Sequence, residues 1–446
     1  MNRRILQAEG PPAFVERRNQ GDATSQMTAR LKRKQILAGA VGNTLEWYDF
    51  AIYGFLAPII GKVFFPSEDH LASLLAAYGA LAVGYASRPI GSVIFGHIGD
   101  RYGRKPALML SVAVMGCATL AIGLLPGHAE IGVAASVLLI VLRTVQGLSV
   151  AGEYASSATL LVEQAPAERR GLVASWVVMG CNLGFLMGSA VAALVSNLIG
   201  DAAMLAWGWR IPFLLGAAIA AYALLLRRNM SESPAMGSDA ILPRMPVLEV
   251  LKDHWRTILR IICLILPTGV TYFLVFVYAV SYLTDQMHFS TAKALDITTL
   301  ALVVLVAVTP VVGLLADRYG RRPVMFFVSI ASLCLTWPLW FALHQPALAW
   351  ILFAQLSFAL INGIGWAMTV PLMVELLPAR VRCSGAGISY NICLGFFGGT
   401  TPWVATYLIA RTSDDYAPVY YVMAIALIAL IATWKMPEMK GKSLQT

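Results

Sequence analysis

G-H-I-G-D-R-Y-G-R-K, residues Gly96 to Lys105, returns as G-L-L-A-D-R-Y-G-R-R at Gly313 to Arg322, 217 residues further along. Each copy lies between two long apolar runs, as a short charged connector at a membrane face does. A second pair, V-E-Q-A-P-A-E-R-R (Val162 to Arg170) and V-E-L-L-P-A-R-V-R (Val374 to Arg382), recurs at a separation of 212 residues. Two independent pairs at nearly one offset make the chain a duplication, the arrangement from which many membrane transporters are built.

Of 446 residues, 58% are hydrophobic and only 13% charged, with a mean hydropathy of +0.70. A soluble protein would carry more surface charge, and at roughly 20 residues per crossing there is room for about twelve membrane helices. The runs are continuously apolar rather than alternating, which excludes a β-barrel. Spans are predicted near 36–60, 72–98, 106–126, 132–162, 171–199 and 208–226, then near 257–284, 294–315, 323–343, 348–374, 383–410 and 416–434. The expected organisation is a tail over 1–35, a six-helix bundle over 36–226, a charged linker over 227–256, a second bundle over 257–434 and a tail over 435–446.

With both termini on one side, 27 of the 33 Lys and Arg residues collect there, against Lys62, Arg210, Lys293 and Arg411 opposite. The positive-inside rule then predicts cytoplasmic termini and a cytoplasmic linker. The N-terminal stretch has no apolar core, so no cleavable signal peptide is expected. Six cysteines in or beside apolar runs, without C-x-x-C or histidine at ligand spacing, read as reduced packing residues, and neither metal nor cofactor is expected.

Formal charges inside spans are costly, so each is a candidate functional group. Glu46 and Asp49 fall in span one, Arg88 in span two, and Arg143 and Glu153 in span four. The second half offers only Asp285 and Asp296, near the outer ends, so ion coupling is expected in the first six spans. Glu46 and Asp49 share a helical face, and two carboxylates in a low-dielectric cavity do not both ionise freely. One of them, or the pair, is expected to carry a proton; the other reading makes Asp49 a permanent partner of an arginine. Arg143 is too deep to snorkel and needs an anion, either a span-one carboxylate or the substrate. Alternation between these two couples proton to substrate, whereas a fixed salt bridge would not. Arg88 either lines the cavity or ties span ends together, and Glu153 reads as a packing or gate residue.

The doubled G-x-x-x-D-R-x-G-R-[KR] connector resembles the signature of the major facilitator superfamily. G-N-T-L-E-W-Y-D-F (Gly42 to Phe50), S-R-P-I-G (Ser87 to Gly91), R-T-V-Q-G-L-S-V-A-G-E-Y (Arg143 to Tyr154) and W-G-W-R-I-P-F (Trp207 to Phe213) resemble its metabolite:proton symporters. That group includes bacterial proline/betaine, α-ketoglutarate, citrate and shikimate transporters. The resemblance implies an all-α membrane protein with twelve transmembrane helices in two six-helix halves, working by alternating access. It further implies a bacterial inner membrane location, a monomer, and a small-molecule substrate, protons and the lipid bilayer as partners, with no nucleic acid. The connector acts in that family as a latch favouring the outward-open state, which implies gating roles for Asp100, Arg101 and Arg104 and, through the repeat, for Asp317, Arg318 and Arg321. Spans one, four, seven and ten line the cavity in that fold, favouring Tyr272, Tyr278, Asn362 and Trp366 as substrate contacts beside Arg143 and Arg88.

Two cavity arginines against three carboxylates, with no cation in the second half, suit a zwitterion, and aromatic faces suit a quaternary ammonium. The expected substrate is therefore proline, betaine or a similar compatible solute; the alternative is a di- or tricarboxylate or shikimate. The tail P-E-M-K-G-K-S-L and S-E-S-P (Ser231 to Pro234) also resemble sugar porters, which keeps a sugar as a further reading, as is a transporter-like sensor. Some osmolyte carriers continue into a long coiled coil where this chain ends at Thr446, which argues against osmotic sensing. The histidines His70, His97, His128, His254, His288 and His344 are scattered away from the midplane, so no enzyme site is expected.

Overall fold

Inside a bilayer an apolar chain must pair its own peptide groups, and an unclosed sheet cannot do so. The computed structural model describes residues 43–102, 104–150, 153–163, 165–228 and 246–444, and these are helical with no strand among them. Helix α1 spans 43–64 with a turn at Leu56, just before Pro58. Helix α2 comprises His70–Ala86 and Arg88–Tyr102, α3 is Arg104–Leu124, and α4 comprises Val133–Val150 and Glu153–Glu163. Helices α5 (Arg170–Ala203) and α6 (Arg210–Arg228) complete the first half.

A short helix, Pro246–Asp253, precedes the second half. There α7 is Trp255–Asp285, α8 Thr291–Tyr319, α9 Arg321–Leu343, α10 Leu348–Glu375, α11 Arg382–Thr412 and α12 Ala417–Trp434. Ten of these helices are long and apolar enough to cross a membrane, and the interrupted α1 and shorter α6 bring the set to twelve.

Local chemistry sets the helix ends. The Asp69 carboxylate accepts the Leu71 N–H at 2.9 Å to start α2, and Ser290 Oγ accepts the Lys293 N–H at 3.3 Å to start α8. Between α8 and α9, Gly320 has φ +104°, and a Cβ there would lie 2.5 Å from a Glu438 carboxylate oxygen. The positive φ favours glycine and a Cβ would displace the Glu438 carboxylate, which accounts for the G of the second D-R-Y-G connector. Its counterpart Gly103 lies outside the described residues.

The halves meet along two seams, α5 on α8 and α2 on α11. Helix α7 is central, with 89% of its apolar window buried, against 39% for α3, for the first segment of α4 and for α8. Within the first half α4 lies directly on α2: a Cβ on Gly147 would sit 1.8 Å from the Gly84 carbonyl oxygen. That contact brings Arg143 and Gln146, one turn earlier and one residue earlier on α4, into the interior.

Candidate functional site

Glu46 and Asp49, one helical turn apart, are 3% and 2% exposed. Each is held by a different helix. Arg88 on α2 forms a tight ion pair through Nη2 with Glu46 Oε1, and Thr119 on α3 donates its hydroxyl to Asp49 Oδ2. The face shared by the two carboxylates therefore serves two partners. Arg88 ties α2 to α1, its guanidinium carbon 5.4 Å from the Phe50 ring centroid and 5.5 Å from that of Tyr85.

Arg143 is fully buried on α4. Its Nη1 donates to Gln146 Oε1 at 2.8 Å, and Gln146 Nε2 donates to Thr119 Oγ1 at 2.8 Å. Arg143, Gln146, Thr119 and Asp49 thus form one hydrogen-bonded chain across α4, α3 and α1. The guanidinium carbon lies 4.3 Å from the Tyr53 ring centroid and 4.7 Å from that of Phe50. Arg143 Nε and Nη2 have no hydrogen-bond partner. Idle donors on a buried cation are costly, and an anion arriving beside them would relieve that cost.

Next to this network the two halves meet through aromatic rings. Trp47 of α1 stands edge-on to Trp366 of α10 at 5.7 Å and to Tyr272 of α7 at 6.3 Å, and Tyr272 stands edge-on to Trp366 at 5.3 Å. Phe185 of α5 closes the group, 4.8 Å from Tyr272 and 5.4 Å from Trp47. Trp47 Nε1, Tyr272 Oη and Trp366 Nε1 are buried without a hydrogen-bond partner, unusual for groups that normally find one. Asn362 donates to the Thr268 carbonyl at 3.0 Å and leaves its own Oδ1 unpartnered. Tyr278 is placed elsewhere: it lies further along α7, stacked on Trp340 at 6.4 Å, and does not join this group.

At the face carrying the connectors, the second D-R-Y-G copy grips the first half. Asp317 accepts the Gly171 and Leu172 N–H groups at 2.8 and 2.9 Å, at the N-terminus of α5 where a carboxylate complements the helix dipole. Arg321 holds that carboxylate at 3.0 Å and binds Glu375 in fork geometry at 2.9 and 3.1 Å. Arg382 pairs with Glu163 across the halves at 2.5 Å, and Tyr154 stacks on Tyr390 at 4.1 Å. The Arg318 carbonyl accepts Lys440 Nζ at 2.6 Å. For Asp100, Arg101, Arg104 and Glu153 only helical backbone is described, and their side chains lie outside the described residues.

The tail closes over the same face. Glu438 accepts the backbone N–H groups of Arg321, Arg322, Met439 and Lys440 at 2.9 to 3.0 Å, and Arg170 Nη1 donates to the Lys442 carbonyl at 2.6 Å. Burial alone would raise the Glu438 carboxyl, yet the four N–H donors outweigh it and hold the group below its ordinary value. The opposite face is joined by His70 Nε2 to Asp285 at 3.1 Å, Tyr78 to Ser281 at 2.5 Å and Ser189 to Thr299 at 2.7 Å. With contacts at both faces and the charged and aromatic centre buried, the conformation is occluded.

Among the participants absent from the sequence-derived set are Trp47, Thr119, Gln146 and Phe185. Gln146 carried a readable signal, lying three residues beyond Arg143 on one helical face.

The family described as Major Facilitator Superfamily matches residues 39–400 and again 296–445. The proline/betaine transporter of Salmonella typhimurium is 35% identical over 437 residues, 95% of this chain and 87% of that protein. The shikimate transporter of Escherichia coli is 35% identical over 414 residues, 91% of this chain and 94% of that protein. Among solved structures, a D-xylose-proton symporter matches with a TM-score of 0.74 at 19% identity, over 92% of this chain and 99% of that one, a likeness of fold alone.

Proposed function

Because the chain belongs to the Major Facilitator Superfamily, we propose that it imports a small zwitterion of the proline or betaine kind together with protons. The observation that carries this reading is Arg143, fully buried with two idle donors, in one hydrogen-bonded chain with Asp49 and beside a group of aromatic rings. The substrate carboxylate takes the free edge of Arg143. Its ammonium or trimethylammonium end faces Trp47, Tyr272 and Trp366, where cation–π attraction in a desolvated site is worth about 2 kcal/mol. Asp49 carries the proton, and Glu46 neutralises Arg88.

Both relatives described above are named transporters. The 27 basic residues gathered on one side support cytoplasmic termini and a cytoplasmic linker, and the similarity to bacterial transporters supports an inner-membrane location. On that basis the Asp317, Arg321 and Glu438 contacts form the cytoplasmic gate, and the His70–Asp285 contact lies at the outer one.

The test is uptake by proteoliposomes, with and without an imposed pH gradient, of glycine betaine, proline, shikimate and α-ketoglutarate. Gradient-driven accumulation of glycine betaine or proline is expected. Accumulation of shikimate alone would move the assignment to a hydroxylated monocarboxylate, the second reading that the similarity to the shikimate transporter favours. Uptake indifferent to the gradient would remove proton coupling.

A further inference from the structure

Thr119 has one hydroxyl and three polar neighbours. Gln146 Nε2 donates to Oγ1 at 2.8 Å, the Met115 carbonyl accepts at 2.9 Å, and Asp49 Oδ2 is in tight contact. Two of these roles are fixed. Arg143 can only donate, so the Gln146 amide oxygen must face it and the Gln146 NH2 must face Thr119. The Met115 carbonyl can only accept. Thr119 therefore keeps one lone pair for Gln146 and has one lone pair and one proton left for Asp49 and Met115.

Asp49 can meet that remainder in either of its protonation states. When Asp49 is ionised, the Thr119 O–H points to Oδ2. Arg143, Gln146 and Thr119 then donate in series towards the negative charge, each bond polarising the next. When a proton sits on Oδ2, Asp49 donates to the free lone pair of Thr119 and the Thr119 O–H turns to the Met115 carbonyl. Every group at Thr119 stays satisfied, but the series no longer runs from Arg143 to a charge.

We propose that Thr119 and Gln146 are positioning residues that relay the protonation state of Asp49 to Arg143, reversing one hydrogen bond so that protonation ends the series of donors running from Arg143 to the Asp49 charge and leaves the substrate carboxylate as the anion that the idle edge of Arg143 meets. The inference rests on the reading of Asp49 as proton carrier. The other groups around Asp49 are compatible with it. Tyr48 adjoins on the same helix, Arg143 acts from α4, and the Glu46–Arg88 pair lies one turn away; from α6 the neighbour is Gly216, where a Cβ would lie 2.7 Å from Asp49 Oδ1.

The test uses the full chain reconstituted in lipid. Infrared difference spectra between acid and alkaline pH should contain a protonated-carboxyl band that Asp49→Asn removes. Thr119→Val should move that band to higher frequency, because the acid O–H loses its acceptor, and Thr119→Ser should leave it in place. In parallel, the wild-type KM for glycine betaine exchange should fall several-fold as pH falls, and Gln146→Leu should flatten that dependence. A role confined to holding the fold would instead raise KM equally at every pH.

A carboxyl band unmoved in Thr119→Val, or a pH-dependent KM kept in Gln146→Leu, overturns the relay. The second measurement stands even where Thr119→Val fails to fold. If Asp49→Asn leaves the band intact, the proton resides elsewhere and it is the coupling assignment that fails.

Discussion

Asparagine at position 49 would keep the shape of the aspartate and remove its charge, imitating the protonated state towards Thr119. We expect Asp49→Asn to abolish accumulation against a gradient while leaving substrate exchange near wild type, as paired uptake and counterflow assays would register. Glu46→Gln should behave differently. It strips the counter-charge from the buried Arg88, a change that costs about 3–5 kcal/mol in buried pairs. A lower melting temperature in detergent is expected, with partial recovery in the Glu46→Gln, Arg88→Gln double variant; a melting temperature unchanged by Glu46→Gln would count against the pair. The four charges themselves are legible in sequence, since a formal charge in an apolar run stands out. Their pairing is not, because it depends on which helices neighbour α1. Thr119 is hidden for a related reason: a lone threonine in an apolar helix ordinarily returns its hydroxyl to the carbonyl four residues back, as Thr119 also does to Met115. Trp47 reads as a packing residue until Tyr272 and Trp366 from the other half are seen beside it.

At the scale of elements, the two repeats found separately in the sequence turn out to touch. The second D-R-Y-G copy reaches, through Asp317, the start of α5 just after the first A-E-R-R, and the second copy of that segment returns Arg382 to Glu163. Asp317→Asn removes a charge from a helix N-terminus, worth about 1–2 kcal/mol in partly buried settings, or about 5–30-fold in population. The expected outcome is a larger inward-open fraction by cysteine accessibility, with substrate affinity in the closed form unchanged. Glu438 gives a pH prediction with a definite sign. Its folded value lies below the unfolded one, so its contribution is complete above the unfolded value and is lost as pH falls through the folded value. The tail should therefore stay docked at neutral pH and loosen only below the ordinary carboxylate range. Glu438→Gln should loosen it at neutral pH, raising hydrogen exchange at residues 439–442. The sequence indicates that such a face exists from the basic connectors alone, but a backbone-capping carboxylate in a tail has no local signature.

Across the whole molecule, a duplicated frame carries chemistry that is not duplicated. The central charges Glu46, Asp49, Arg88 and Arg143 belong to the first half, and the buried charges of the second half, Arg321, Glu375 and Arg382, lie at the connector face instead, while the aromatic group draws Trp47 and Phe185 from one half and Tyr272 and Trp366 from the other. Such a split suits a carrier whose proton site stays within one rocking body while the substrate bridges both. Reporter fusions after residue 228 and after residue 444 should both register a cytoplasmic environment, and an external signal from either would reverse the assigned orientation. The clasp made by the tail bears on how the chain is born. Arg170 and Lys442 are 272 residues apart, and Glu438 reaches Arg321 across 117. The ribosome releases those tail residues only after all twelve helices have been synthesised. A nascent chain would therefore have all twelve helices made while this face is still unfastened, until the tail itself leaves the ribosome.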